Sequence, residues 1–377
     1  MVFVHSVPHA HHPRHHYRLA AALAGAGWDV MTLSPADIEP GHVDAVPVRH
    51  LPPRRSRPMR MASGPLSVLA AARLRPRAVH VVSLDLLPWA ALLRLTGRCR
   101  VLYDSNEEYD SLMLVKAWLP RPLRPVIGRA VGWAEPWLAG RLDAATTALP
   151  ATHARFTARG VRSVLVRNFP LPSNAPAGGA GEPAIDVLVG GSLPEDQVPL
   201  LVATAARLAA DGRRLRWLVA ARSYGPREIA ALEDALTRGG VRDAFELRYN
   251  VPFSRMGELM AASALGLVIY PAHENYGARI PLRVFDYLAA GLPFVASDLP
   301  TTADYVAGEG VGELVAAGDP EAYAAAIARL LDDPQRLEQM RARGPQLVRE
   351  QLSWAIESRK LIALYEDLLG PPPGSRG

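Results

Sequence analysis

At 377 residues, with 49% hydrophobic and 21% charged side chains, the chain has a soluble globular composition and the length for two domains of roughly 100–200 residues each. A single cysteine, Cys99, excludes an internal disulfide framework and a thiolate metal cluster. No apolar run reaches the ~18–20 residues that a membrane-spanning helix needs.

The net charge of +5 is unevenly placed: residues 1–168 carry +11 and the remainder −6. That asymmetry suggests two lobes with different partners. Lys116 and Lys360 are the only lysines, so a phosphate clamp here must be built from arginine or backbone N–H groups. No zinc-finger, helix-turn-helix or RNA-binding signature accompanies the basic half, so no nucleic-acid partner is expected. The start, MVFVHSVPHAHH, lacks the basic n-region of a signal peptide, which makes the cytoplasm the expected compartment.

In chain order, residues 1–7 read as a buried strand. HHPRHHYRLAAALAGAG follows as a helix, and residues 28–33 form the next strand. This strand–helix–strand unit favours a parallel sheet. Further strands are expected near 46–50, 79–84, 101–104, 144–149 and 163–167, making residues 1–168 one doubly wound α/β domain. Six histidines, His5, His9, His11, His12, His15 and His16, crowd the carboxyl end of the first strand. Ligands bind at that end in open α/β sheets, so His9, His11 and His12 are candidates to touch a substrate. A metal site is not expected, because no carboxylate or thiol shares the spacing. Asp104, Asn106 and Glu107 end another strand. They read either as a site or as a capped helix start with Ser105 or Asn106 at the N-cap.

Residues 116–141 interleave Trp118, Trp133 and Trp137 with Lys116, Arg121, Arg124, Arg129 and Arg141. One reading is a membrane-surface or anionic-acceptor face. The other, favoured because Pro120, Pro122, Pro125 and Pro136 should break a long amphipathic helix, is an ordinary helix pair with tryptophan packed inward. Peripheral contact with the inner face of the membrane stays open.

Residues 169–184, FPLPSNAPAGGAGEPA, form the linker. A second strand–helix series occupies 185–350, with strands near 185–189, 215–221, 245–249, 265–270, 293–297 and 312–315. Residues 351–377 hold a last helix and a Pro-rich tail. Within this half, PLRVFDYLAAGLPFVASDLP at 281–300 reads as a helix beginning at Pro281, a stop at Gly291 and a buried strand. Arg283 and Asp286 form a polar stripe near the helix start.

This stretch resembles the donor-binding signature of glycosyltransferase family 4, retaining enzymes of the GT-B fold. A family pattern Pro-x-Lys-x-x-Glu-Tyr-x-Ala-x-Gly-x-Pro-x-x-Ala-Ser appears as Pro281, Arg283, Asp286, Tyr287, Ala289, Gly291, Pro293, Ala296 and Ser297. Gly318-Asp319-Pro320, Leu330-Leu-Asp-Asp-Pro334 and Val189-Gly190 extend the likeness, and Asp104 with Glu107 resembles the family's Asp-x-His-Glu segment.

The resemblance implies two Rossmann-like doubly wound domains facing a cleft, with the C-terminal helix crossing back to the first. The first would bind the acceptor and the second a nucleoside-diphosphate sugar, UDP or GDP before others. It implies a retaining transferase acting on a hydroxyl of a glycan, a glycolipid or a small natural product, with no cofactor and no metal. The alternatives are a nucleotide-sugar epimerase or sugar phosphorylase on the same fold, or a non-catalytic nucleotide-binding member.

By position, Asp286 would accept from the ribose hydroxyls, as a carboxylate facing a vicinal diol does. Arg283 and Arg279 would hold the diphosphate, with Arg222 in support and Glu274 as the carboxylate at the sugar. Gly190, Gly191, Asn275, Tyr276, Gly277, Arg248, Asn250, Val251 and Leu288 complete the implied donor site. Two departures stand out. Gly191 and Asp196 occupy positions where the family carries its Arg and Lys, and Asn106 replaces the usual His. Arg283 and Arg279 must then carry more of the phosphate charge.

Overall fold

The computed structural model describes residues 1–373 apart from 8–11, 36–45, 53–55, 117, 172–182, 222–224 and 273–280. It consists of two units, Met1–Asn168 with Trp354–Gly377, and Phe169–Ser353.

The first unit carries seven strands: β1 Val2–Val4, β2 Met31–Pro35, β3 Val48–Leu51, β4 Ala78–Val81, β5 Arg100–Ser105, β6 Ala144–Thr147 and β7 Ser163–Leu165. All pair in parallel, in the order β3-β2-β1-β4-β5-β6-β7. The second unit carries six: β8 Ile185–Gly191, β9 Trp217–Ala221, β10 Phe245–Tyr249, β11 Ser263–Val268, β12 Phe294–Ser297 and β13 Gly312–Val315. These are also parallel, ordered β10-β9-β8-β11-β12-β13. Both sheets are doubly wound. Their strand order reverses beside β1 in the first and beside β8 in the second, and ligands bind at the carboxyl ends of such switch points.

The apolar runs explain the strands. Val187, Leu188 and Val189 on β8 are buried, as are Leu265, Leu267 and Val268 on β11, because helices cover both faces of a parallel sheet. Local signals place the later helices. The Asp319 and Asp333 carboxylates accept from the backbone N–H of Ala322 and Arg336, capping helices Pro320–Leu331 and Pro334–Glu350. The family-like Gly-Asp-Pro and Asp-Asp-Pro segments are therefore helix starts.

The C-terminal helix, Trp354–Leu369, packs in the first unit, as the resemblance implies. The Tyr365 hydroxyl pairs with His80 Nδ1 at 2.8 Å, and the Glu357 carboxylate accepts from the Arg167 N–H at 2.9 Å.

The inward packing favoured for the tryptophans does not hold. Arg124–Ala139 is one 16-residue helix. Pro125 sits in its first turn, where no N–H is needed, and Pro136 in its last, where one bond is lost without breaking the helix. Trp133 and Trp137 stack on each other at 5.6 Å on the outer surface, 55% and 45% exposed.

Candidate functional site

The signature stretch of the second unit folds as helix Leu282–Ala290 followed by β12. Pro281 is the extended residue just before the helix, not its first residue. Gly291 closes the helix at φ +65°, the left-handed conformation that glycine adopts without penalty. The helix lies tight against Pro334–Glu350: a Cβ at Gly291 would stand 2.9 Å from the Arg341 carbonyl, and one at Gly344 3.0 Å from the Leu288 carbonyl. Val284, Phe285, Tyr287 and Leu288 face the core, which leaves Arg283 and Asp286 half-buried on the remaining stripe.

That packing brings Arg283 to the switch point. The Arg283 guanidinium donates through Nη2 to the Ser192 carbonyl, immediately beyond β8, while its buried Nη1 has no hydrogen-bond partner among the described residues. Gly191, at φ +85°, has open space where a Cβ would project. The single cation of the stripe therefore sits beside the open Gly191 turn, with donor capacity left for an anion.

Tyr287, which the sequence reading did not single out, holds this arrangement. Its hydroxyl accepts from the Gly190 N–H at 2.9 Å and donates to the Leu188 carbonyl at 3.3 Å. Its ring fills the space above Gly266, where a Cβ would stand 2.6 Å away. The signal was present: a glycine inside a strand marks a close approach, and Gly266 lies in β11. Tyr287→Phe takes the acceptor from the buried Gly190 N–H, at about 1–3 kcal/mol. Gly266→Ala drives a methyl into the ring, at about 1–3 kcal/mol. Urea midpoints of both variants should fall below wild type. A wild-type midpoint for Gly266→Ala would contradict the packing described.

Leu288 belongs to the core, 1% exposed, so its side chain cannot face a ligand. Arg248 lies on the edge strand β10 and pairs with Glu246 at 2.6 Å. Asn250 has the left-handed φ of +54°, and the Val251 N–H reaches the Ala221 carbonyl at the end of β9. Asp196 is exposed in the short helical turn Glu195–Gln197. Arg222, Glu274, Asn275, Tyr276, Gly277 and Arg279 lie outside the described residues, as do His9 and His11.

In the first unit, Asp104 is not a surface acid. Its fully buried carboxylate accepts from Arg14 at 2.8 and 2.7 Å, from Thr146 at 2.5 Å, and lies 3.1 Å from His15 Nε2. Burial alone would raise its pKa, but the charge and hydrogen bonds of Arg14, joined by His15, hold it well below the usual carboxylate range. Arg14 also donates to the Val166 carbonyl and Asn168 Oδ1, each at 2.7 Å. His15 and His16 thus pack inward on a π-helical turn, His15–Ala20, and His12 stacks on His15 at 4.3 Å. Among the described residues no group of three His, Cys, Asp or Glu side chains is placed to share a metal ion.

The capped start proposed at Ser105 or Asn106 is also displaced. Ser105 ends β5 and donates to Glu135 at 2.7 Å, and the helix begins at Tyr109. Asn106 Oδ1 accepts from the Tyr109 hydroxyl at 3.0 Å, while Glu107 is exposed.

Below this network, burial pushes His80 down to about 4, so the ring is neutral at pH 7. An unfolded histidine takes up its proton near pH 6.5, before the native one does. Stability should therefore be intact above pH 6.5 and fall by about 1.4 kcal/mol per unit down to about pH 4, some 3 kcal/mol in all. Urea unfolding at several pH values, in wild type and His80→Asn, measures this. Equal slopes in the two proteins would contradict it.

Residues 184–333 match the family model described as glycosyl transferases group 1, and residues 13–172 match the glycosyl transferase 4-like domain. The chain belongs to glycosyltransferase family 4. Its similarity to curated family relatives is partial. It is 32% identical over 106 residues to a phosphatidyl-myo-inositol mannosyltransferase of Mycobacterium leprae, covering 28% of each chain. It is 32% identical over 143 residues to D-inositol 3-phosphate glycosyltransferase 2 of Catenulispora acidiphila, covering 37% of this chain and 32% of that one. The matches thus span about a third or less of those relatives.

The fold of this family-4 chain recurs in solved structures. Sucrose-phosphate synthase from Thermosynechococcus elongatus superposes with a TM-score of 0.74 at 16% identity, over 97% of this chain and 98% of that one. Anabaena HepE in complex with UDP and glucose gives 0.68 at 15% identity, over 96% and 97%. Both likenesses support GT-B architecture.

Proposed function

We propose that the chain is a retaining glycosyltransferase. It moves a sugar from a nucleoside-diphosphate donor, UDP- or GDP-linked, to a hydroxyl of a glycan, a glycolipid or a small natural product. Family membership supports the reaction class. The observation that carries the donor assignment is the Arg283 guanidinium on the Ser192 carbonyl, beside the open Gly191 turn at the β8 switch point.

In this reading the acceptor oxygen attacks the anomeric carbon as the bond to the diphosphate breaks. The leaving phosphate takes the acceptor proton. No protein nucleophile is involved, so the protein's part is to orient both substrates and to stabilise the charge developing on the phosphate. Arg283 supplies the opposing positive charge, with Arg279 and Arg222 as further cations, and Asp286 receives the ribose hydroxyls. The scheme assigns no metal. The acceptor is assigned to the first unit.

Incubating the full chain with UDP- and GDP-sugars, with and without a panel of acceptors, tests the reaction. Acceptor-dependent release of nucleoside diphosphate and a product of unchanged anomeric configuration are expected. An altered sugar nucleotide without any acceptor would point to an epimerase instead.

A further inference from the structure

Among the described residues, 13 of the 15 exposed large apolar side chains lie between Met59 and Trp137. They sit on the helices Arg57–Ala62, Gly64–Arg73, Leu87–Leu95, Tyr109–Val115 and Arg124–Ala139, at Leu74 just after the second of these, and on the segment between the last two. Each of these helices packs beside another of the set, so their outer sides form one layer. The second unit exposes one such residue, Leu282, among those described. Apolar exposure concentrated in one layer marks an interaction surface.

The charge of this layer names its partner. On helix Arg124–Ala139, Val126, Arg129, Trp133 and Trp137 follow one another at helical spacing along one side, with Arg141 just beyond. The Arg141 guanidinium lies 3.3 Å from the centre of the Trp137 ring. Trp118 is 50% exposed one short turn before. Among the described residues, no carboxylate pairs with Lys116, Arg121, Arg124, Arg129 or Arg141. By contrast, Arg60, Arg94, Arg100 and Arg155 of the first unit and Arg213, Arg216, Arg242, Arg329 and Arg343 of the second all carry acidic partners.

Tryptophan interleaved with unpaired arginine suits an interface that is apolar beneath and anionic on top. A second copy of the chain is disfavoured, because a two-fold contact would bring these cations face to face. We propose that this helical layer rests on an anionic phospholipid bilayer. Trp118, Trp133 and Trp137 enter at the headgroup level, and Arg121, Arg124 and Arg129 bind the lipid phosphates. No described helix is long and apolar enough to cross a membrane, so the contact is peripheral. The proposal stands independently of the donor site, since it is read from vesicle binding and not from turnover.

Flotation of the full chain tests it, with phosphatidylglycerol-containing vesicles against pure phosphatidylcholine ones. Binding is expected on the anionic vesicles only, with release at high salt. Arg121→Glu with Arg129→Glu, and Trp133→Ser with Trp137→Ser, should each weaken it by about tenfold or more. Circular dichroism checks that both variants are folded. If the tryptophan variant fails to fold, wild-type tryptophan emission decides: it should shift to the blue on anionic vesicles and be quenched by brominated lipid. Absence of flotation, equal binding to neutral vesicles, or undiminished binding by the folded variants would overturn the proposal. So would a dimer in sedimentation velocity that the tryptophan substitutions dissociate while vesicles capture nothing.

Discussion

Arg283→Ala is expected to lower turnover by about 10²–10³-fold, the range for removing one preorganised donor to a developing oxyanion. The reason is specific to this chain. Gly191, at the end of β8, and Asp196, in the helical turn beyond it, bring no positive charge, so in the proposed site fewer cations serve the diphosphate and the loss of one is felt more. Arg283 reaches the loop after β8 through one arm and keeps its second arm unpartnered among the described residues. Arg283→Lys should restore part of the rate, because a point charge replaces the guanidinium but not its fork. Asp286→Ala should instead raise KM for the donor more than it lowers kcat, since ribose contacts are made before and during the reaction alike. Steady-state kinetics on the three variants separate these outcomes. A wild-type rate for Arg283→Ala would remove the residue from the phosphate site.

The largest stability effect is expected at Arg14. Its guanidinium is 2% exposed and joins the first helix to β5 and to the chain beyond β7 through Asp104, Val166 and Asn168. Arg14→Met leaves the Asp104 carboxylate buried without its counter-charge, which costs about 3–5 kcal/mol. The double variant Arg14→Met with Asp104→Leu removes both charges and should be destabilised by well under the sum of the two single changes. Because Asp104 titrates far below its unfolded value, the pair's contribution is fully present above about pH 4 and is lost as the pH falls toward the native pKa. That window lies below the one assigned to His80, so the two can be distinguished. Urea unfolding of wild type, singles and double at neutral pH completes the cycle. Additive losses would show that the two residues do not act as a pair.

The architecture was legible because it is written locally. Apolar runs such as those of β8 and β11 alternate with amphipathic helices, and Gly291 stops its helix in the conformation that its position implied. What escaped depends on contacts distant in sequence. Arg14 and Asp104 are 90 residues apart, and nothing in the histidine-rich run shows that its arginine turns inward onto a strand. Tyr287 reads as one more core aromatic until Gly190 and Gly266 are seen to make room for it. The tryptophans were misjudged because proline was weighed by its number and not by its place in the helix. Leu288, which the resemblance implied for the donor site, is a core residue, on the face that Val284, Phe285 and Tyr287 also bury.

The central claim is that the second unit binds a nucleoside diphosphate through Arg283 and Asp286. Thermal unfolding of the full chain with UDP, GDP, dTDP and ADP measures this directly. At a hundredfold excess over Kd, one base should stabilise the native protein by about 2.7 kcal/mol, or roughly 5–10 °C, and Arg283→Ala and Asp286→Ala should each abolish most of the shift. No shift with any of the four, or a shift that both substitutions leave intact, would contradict the account.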